Sequence, residues 1–296
     1  MIKQYKISVP KSTLDEIYKK VRNFPWSAAQ NMNGWEYGTN LNYLKNISKY
    51  WIKKYNWKKF ENKINSFKNY KTRVEDINLH FIFEKSKNPN SRPLLLLHGW
   101  PGSITEFLDI IPRLAHPEKY GGKIEDGFDV IVPSLPGFGF SSQIKKALGP
   151  RKIGKILNKF MVKNLGYKNY FVQGGDWGAT IAGWIGLDSS KNCKGIHINC
   201  LPLRHPKGPK NSKEKKWEKK FNFDQIMQEG YRTQQATKPQ TLSYAMIDSP
   251  VGTAAWILEK FHGWSDLKMG KIEKTFSKDE FCLLYTSDAA DEEDSV

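Results

Sequence analysis

The sequence predicts an α/β fold in which a mostly parallel sheet is covered by helices on both faces. Continuous apolar runs, such as residues 94–97 and 128–133, are typical of strands that are buried on both faces of a parallel sheet. These runs alternate with amphipathic helical segments, which favours right-handed strand-helix-strand crossovers. A length of 296 residues suits one large domain of this class that carries an insertion.

Residues 1–70 are predicted to form a helical arm that wraps the rest of the protein. Ser12 can cap a first helix, and an apolar stripe over residues 41–55 with lysines opposite predicts a second. From Thr72 to Glu84 the apolar residues recur at every second position, which indicates entry into a sheet. We therefore expect the core domain to begin at residue 71.

Residues 71–201 are predicted to be the α/β core. Its first buried strand ends in the turn His98-Gly99-Trp100-Pro101, and its last strand covers residues 195–200. The polar, helix-rich region over residues 202–280 is interpreted as a helical lid. Residues 281–296 are predicted to be a non-native tail, because the last eighteen residues contain no lysine or arginine and seven acidic residues.

The formal net charge of +17 raises the question of a nucleic-acid partner. The basic residues are 40 lysines and only 7 arginines, whereas arginine is the side chain that base and phosphate recognition uses most. The densest lysine run, residues 207–220, resembles a solvated loop or helix face. The composition therefore favours a solvated basic surface, and no nucleic-acid partner is predicted.

The cysteines and the N-terminal residues indicate the cellular compartment of the protein. Cys193, Cys200 and Cys282 form no CxxC pair, which suits a reducing compartment. The first residues contain no apolar run long enough for a signal peptide or a membrane span. We therefore predict a cytoplasmic location and no membrane anchor, and leave the oligomeric state open.

A nucleophile elbow is predicted at residues 170–183. A β-branched and aromatic run leads into glycines that flank one carboxylate, and a helix rich in small residues follows. Gly174 and Gly178 leave room for the sharp turn from strand to helix, with Asp176 at its apex. The expected nucleophile is thus an aspartate in the place that serine occupies in other elbows.

An aspartate nucleophile restricts the substrate to a reactive alkyl carbon. Its attack on an ester carbonyl would form an anhydride, whereas attack on an sp3 carbon gives an alkyl ester. An epoxide leaves as a basic alkoxide and needs an acid, for which Tyr231 in the lid is the candidate. A halide needs only weak N–H donors such as the Trp177 indole, so a haloalkane substrate stays open as an alternative.

Hydrolysis of the ester requires an oxyanion hole and a general base. The backbone N–H groups of Trp100 and Trp177 are the expected oxyanion donors. The base would be a histidine with an acidic partner, but no histidine of these 296 residues has a suitable motif context. The chain has six of them: His80, His98, His116, His197, His205 and His262.

Together these residues resemble the microsomal and juvenile-hormone type of epoxide hydrolase, in the α/β-hydrolase superfamily. The resemblance covers nearly everything from residue 1 to about residue 280. It also extends to segments outside the elbow and the His98 turn, namely Trp35 to Tyr43, Tyr50-Trp51, residues 133–141, residues 237–242 and residues 248–252. It implies an α/β-hydrolase fold with a helical lid, with Asp176 as nucleophile and Tyr231 as ring-opening proton donor.

The resemblance also implies a small apolar epoxide as substrate, with no metal and no organic cofactor. In this family a second tyrosine, the catalytic histidine and its acid partner lie beyond the lid. The late core strands and the general base are therefore expected to be missing from these 296 residues, so that Asp176 would be alkylated without turnover. A haloalkane dehalogenase-like hydrolase and a non-catalytic binding protein of the same fold are the alternatives.

Overall fold

The computed structural model describes residues 1–30, 32, 34–200 and 207–291. These residues form a seven-stranded sheet with flanking helices, which confirms the predicted α/β class. The strands are β1 Ile2–Gln4, β2 Asn69–Val74, β3 Ile77–Glu84, β4 Arg92–Leu97, β5 Phe128–Pro133, β6 Tyr170–Gly174 and β7 Cys193–Ile198. The α-helices are α1 Lys11–Arg22, α2 Leu41–Lys53, α3 Trp57–Asn65, α4 Ile111–Ala115, α5 Pro150–Lys159, α6 Trp177–Asp188, α7 Ser212–Gln228, α8 Gly230–Thr237, α9 Pro239–Asp248, α10 Pro250–Trp264 and α11 Lys278–Asp291.

The sheet is mixed, and its parallel half carries the predicted elbow. The strand order is β1-β2-β3-β5-β4-β6-β7, with antiparallel pairs from β1 to β5 and parallel pairs from β5 to β7. Strand β4 lies between β5 and β6, and its last residue Leu97 is opposite Gly174. The turn after β4 and the elbow after β6 therefore leave the same edge of the sheet side by side.

The apolar run of β4 is buried on both faces, as its composition predicts. Leu95 and Leu97 pack in a cluster with residues of α5 and α6. Leu96 packs on the opposite face, in a cluster that contains Ile104 and Ile111. One strand thus joins the two apolar layers, and its buried end leads directly to the predicted site.

The apolar spacing from Ile104 to Leu114 predicts a single helix, but the structure has two short pieces. A 3-10 turn covers Ile104–Phe107, and α4 starts afresh at Ile111 with Pro112 in its first turn. Proline lacks the N–H that a continuous helix would need at that position and is tolerated in a first turn. The break leaves the 3-10 turn directly after residues 98–102, the turn that carries the predicted oxyanion donor Trp100 and is called the oxyanion turn below.

The predicted N-terminal arm contacts the predicted lid as well as the sheet. Strand β1 pairs antiparallel with β2 and extends the sheet by one strand. Helices α1 and α2 pack with α10 and α11 around a separate apolar cluster that includes Ile47 and Val251. Among the described residues, no helix has the length and apolar content that crossing a bilayer requires.

The predicted start of the tail at residue 281 falls inside helix α11. Phe281, Cys282 and Tyr285 are buried in the cluster that the arm and α10 form. Trp51 Nε1 donates a hydrogen bond of 2.9 Å to Thr286 Oγ1. The predicted tail boundary is therefore not a boundary of secondary structure or of packing, and residues 292–296 lie outside the described part of the chain.

Candidate active site

Asp176 lies at the apex of a sharp turn between β6 and α6. Its backbone has φ 49° and ψ −124°, a strained combination for a residue with a side chain. A Cβ added at Gly174 would overlap the Gly178 carbonyl group, and one added at Gly178 would overlap the Leu97 carbonyl oxygen. Glycine at both positions therefore allows the close approach of α6 to β6 and β4 that exposes the Asp176 carboxylate.

The turn after β4 curls around this carboxylate. The Trp100 N–H donates a hydrogen bond of 3.1 Å to Asp176 Oδ1. A Cβ added at Gly99 would overlap the same oxygen atom, so the turn approaches the carboxylate as closely as glycine allows. The second predicted donor, the Trp177 N–H, belongs to the first residue of α6, where peptide N–H groups have no acceptor within the helix.

His98 holds the turn in place with both ring nitrogens. The Leu135 N–H donates to His98 Nε2 at 3.0 Å, so Nδ1 carries the proton and donates to the Gly99 carbonyl oxygen at 3.0 Å. Burial lowers the pKa of His98 to about 4. The ring is therefore neutral near pH 7 and links the oxyanion turn to the turn after β5.

A second buried histidine, which sequence reasoning assigned no role, supports that neighbouring turn. His80 Nε2 donates to Asn69 Oδ1 at 3.0 Å, and the Ser134 hydroxyl donates to His80 Nδ1 at 2.9 Å. Ser141 Oγ accepts from the His80 N–H and donates to the Ser134 carbonyl oxygen. In the sequence, the only indication of this role was the position of His80 within a predicted strand. The structure shows that this strand is buried on both faces.

The lowered pKa values of these two histidines predict that the folded protein loses stability in mild acid. Burial lowers the pKa of His98 to about 4 and that of His80 to about 3. In the unfolded chain both recover a pKa of about 6.5, so the unfolded state binds more protons below that pH and stability falls from about pH 6.5 towards pH 4. His98 alone should lose about 2 kcal/mol between pH 7.5 and pH 5.

Urea unfolding of the chain at these two pH values checks this loss. His98→Gln is expected to weaken the pH dependence, whereas the exposed His197→Gln should keep it. An equal pH dependence in both variants would contradict the linkage to His98.

Tyr231 of α8 lies within the electrostatic influence of Asp176, the predicted nucleophile. Burial and then the charge of Asp176 raise the pKa of Tyr231, so its hydroxyl keeps its proton near pH 7. The ring packs edge-on against Trp264 with centroids 4.8 Å apart, and Lys260 Nζ lies 5.2 Å from its centroid. The predicted proton donor is thus placed where the charge of Asp176 affects it.

Glu106, on the 3-10 turn Ile104–Phe107, is a carboxyl group that the sequence did not single out. A Cβ added at Gly102 would overlap Glu106 Oε1, so this side chain folds back onto the oxyanion turn. Desolvation and then the negative charge of Asp176 raise the pKa of Glu106 to about 7, although the residue as a whole is exposed. In the sequence, the only indication of this contact was that Gly102 stands four residues before a glutamate.

The other described histidines have partners away from Asp176. His116 Nε2 is 2.9 Å from Glu84 Oε1, and the His262 ring stacks on Trp35 with centroids 4.0 Å apart. His197 is exposed on β7, opposite Gln173, and His205 lies outside the described residues. Over residues 1–30, 32, 34–200 and 207–291, no group of three or more metal-ligating side chains is present.

Comparison with known proteins decides the family. A family model described as "Epoxide hydrolase N terminus" matches residues 2–107, and one described as "alpha/beta hydrolase fold" matches residues 92–246. Epoxide hydrolase 1 of Sus scrofa is 35% identical over 310 residues, which cover 96% of this chain and 68% of that protein. This chain belongs to the epoxide hydrolase family.

Two further relatives agree with this assignment. Juvenile hormone epoxide hydrolase 1 of Ctenocephalides felis is 33% identical over 286 residues, which cover 90% of this chain and 61% of that protein. The crystal structure of juvenile hormone epoxide hydrolase from Bombyx mori superposes with a TM-score of 0.83 at 28% identity, and covers 99% of this chain and 77% of that one. The chain thus spans about two thirds of the length of the epoxide hydrolases that it matches.

The family assignment and the α/β-hydrolase fold were both predicted from the sequence and are confirmed. In this epoxide hydrolase family member the structure brings Trp100 onto Asp176 and places Tyr231 under the influence of its charge. The roles assigned to Asp176, Tyr231, Trp100 and Trp177 stay predictions.

Proposed function

We propose that this protein converts a small apolar epoxide into a vicinal diol, and that these 296 residues carry the first half of that reaction. The observation that carries the proposal is the hydrogen bond from the Trp100 N–H to Asp176 Oδ1 at the strained elbow. A carboxylate held by one oxygen has its other oxygen available for attack. Asp176 Oδ2 is therefore the proposed nucleophile and Oδ1 the future oxyanion.

In the proposed first step, Asp176 Oδ2 forms a bond to one epoxide carbon as the bond between that carbon and the ring oxygen breaks. The ring oxygen takes the proton of the Tyr231 hydroxyl, because an alkoxide is too basic to leave unaided. The product is an alkyl ester on Asp176 with a neighbouring hydroxyl group. Trp177 follows Asp176 in the chain and is exposed, and Trp100 contacts Asp176 through its N–H, so both residues favour an apolar substituent on the epoxide.

In the proposed second step, water attacks the ester carbonyl and the oxyanion is held by the Trp100 and Trp177 N–H groups. This step needs a general base, and the described histidines have other partners or lie elsewhere. We therefore propose that a polypeptide of these 296 residues stops at the ester. A cytoplasmic location remains part of the proposal and is supported by three cysteines that are all free thiols.

The Tyr231→Phe variant tests the proposed electrophile. Alkylation of the protein by an epoxide such as styrene oxide is expected to slow about 100-fold, because the alkoxide loses its proton donor. Alkylation by a primary alkyl bromide of similar size should be unchanged, because bromide leaves without a proton. Both rates are measured as the increase of the adduct in intact-mass spectra.

Tyr244→Phe is the matched control, because Tyr244 is an exposed lid tyrosine on α9. It should leave both rates unchanged. Faster reaction with the bromide and no effect of Tyr231→Phe on the epoxide would favour a haloalkane dehalogenase. The absence of any adduct at Asp176 with either reagent would favour a non-catalytic binding protein.

A further inference from the structure

The ring of Tyr231 packs against two side chains of α10. Trp264 lies edge-on to this ring, with centroids 4.8 Å apart and an interplanar angle of 62°. Lys260 Nζ lies 5.2 Å from the Tyr231 centroid and 5.5 Å from the Trp264 centroid, so one ammonium group contacts both rings. Lys260 and Trp264 are four residues apart on one helix, and they therefore lie on the same face of α10.

Gln228, the last residue of α7, anchors both of these side chains. Its Oε1 accepts a hydrogen bond of 3.2 Å from Trp264 Nε1 and one of 3.4 Å from Lys260 Nζ. Lys260 Nζ also donates a hydrogen bond of 2.6 Å to Glu259 Oε1, and the Lys260 side chain is only 14% exposed. The surface on which the Tyr231 ring lies is thus built from the ends of two helices and is fixed by hydrogen bonds.

The hydroxyl group of Tyr231 is not anchored in this way. Over the described residues it has no hydrogen-bond partner, so the side chain is oriented through its ring. A proton donor must keep its O–H available to the substrate and must also point it at the atom that receives the proton. Contacts on the ring meet both requirements, because they restrict its rotation and leave the hydroxyl group open.

Building on the proposed function, we propose that Trp264 is a positioning residue for ring opening, which holds Tyr231 in the orientation from which it protonates the epoxide oxygen. Trp264 acts through Tyr231 and is not itself a catalytic residue. Gln228 and Lys260 keep the indole ring in place. The proposal deepens the proposed function by naming the side chain that orients its proton donor.

The chemistry of the proposed step determines which reaction depends on Trp264. The bond from Asp176 Oδ2 to the epoxide carbon forms as the bond between that carbon and the ring oxygen breaks. The Tyr231 proton moves to the ring oxygen, and a tyrosinate remains. A misdirected Tyr231 therefore slows attack on an epoxide. Bromide leaves without a proton, so attack on an alkyl bromide does not depend on the orientation of Tyr231.

Trp264→Ala tests the inference through the rates of alkylation by styrene oxide and by the primary alkyl bromide, both followed by intact mass. The epoxide rate is expected to fall about 10-fold, which is the size of effect that one edge-on aromatic pair supports. The bromide rate should be unchanged. Trp264→Phe keeps an aromatic ring beside Tyr231 and should recover most of the epoxide rate. Trp264 is 53% exposed, so neither replacement opens a buried cavity.

Trp217→Ala is the matched control, because Trp217 is an exposed tryptophan of α7 that stacks on Phe221. It should leave both rates unchanged. Trp264→Ala combined with Tyr231→Phe should react with the epoxide no more slowly than Tyr231→Phe alone, because the donor that Trp264 positions is already absent. A merely structural role of Trp264 would instead lower both rates and would add to the effect of Tyr231→Phe.

Equal epoxide rates in the wild type and in Trp264→Ala, or an equal fall in the epoxide and bromide rates, would overturn the positioning role. Failure of the proposed function gives a different result, in which Tyr231→Phe leaves the epoxide rate unchanged or no adduct forms at Asp176. The two failures are therefore told apart in one set of measurements.

Discussion

Incubation of the 296-residue chain with excess styrene oxide is expected to leave one stable adduct on Asp176. Asp176 is exposed at the elbow, and the Trp100 N–H fixes one of its oxygens. Hydrolysis of the ester should be slow, because both ring nitrogens of the buried His98 and His80 are engaged in hydrogen bonds. Intact-mass measurement followed by peptide mapping locates the adduct, and diol release is measured in the same sample.

Asp176→Asn should lower the adduct at this position at least about 1,000-fold, since a neutral amide is a poor nucleophile. Asp188→Asn, at the other end of α6 and paired with Arg151, is the matched control and should be modified like the wild type. The exposed thiol of Cys200 is a competing site that the peptide map separates from Asp176. Steady release of diol by the chain would contradict the proposal that these residues stop at the ester.

Gly178→Ala is expected to destabilise the protein strongly. The added Cβ would overlap the Leu97 carbonyl oxygen, which belongs to the backbone of β4 and cannot rotate away. Overpacking of this kind costs about 3 kcal/mol, which corresponds to a fall in Tm of about 6 to 12 °C for a domain of this size. Alkylation of Asp176 should slow as well, because the shift of α6 against β4 separates Asp176 from the Trp100 N–H.

Gly183→Ala provides a matched control on the same helix. A Cβ at Gly183 meets no atom within 4 Å, and alanine favours a helix over glycine by about 1 kcal/mol. Its Tm should therefore be unchanged or slightly higher by differential scanning fluorimetry. If both variants melted at the same temperature, close packing of α6 on β4 would not be what requires glycine at position 178.

Much of the site could be predicted because its requirements are local. The two glycines and the aspartate of the elbow must be close in sequence to form a strand-to-helix turn, so the pattern around Asp176 is readable without a fold. The buried strand β4 was readable for the same reason, since a strand covered on both faces must be apolar at every position. Tyr231 was assigned from the need for an acid in the lid and from the family resemblance, and not from any local pattern.

Contacts between segments that are far apart in the chain could not be predicted from local sequence patterns. Glu106 was missed because its raised pKa depends partly on the charge of Asp176, on a different strand connection. The buried hydrogen bonds of His80 were missed because an alternating strand pattern does not reveal that the second face is covered too. The packing of Phe281 and Tyr285 with the arm was also unexpected, because composition reports a change in residue usage and not the surface that a helix contacts.

The sequence by itself determined the fold class, the family, the turn geometry at Asp176 and the kind of carbon that a carboxylate there could attack. Each of these follows from residue types over short stretches. Only the tertiary structure decided that β4 lies between β5 and β6, that the Trp100 N–H meets Asp176 Oδ1, and that Glu106 shares the turn. The physical reason is that strand order and lid docking arise from contacts between segments far apart in the chain, and hydrophobic periodicity carries no record of which segments meet.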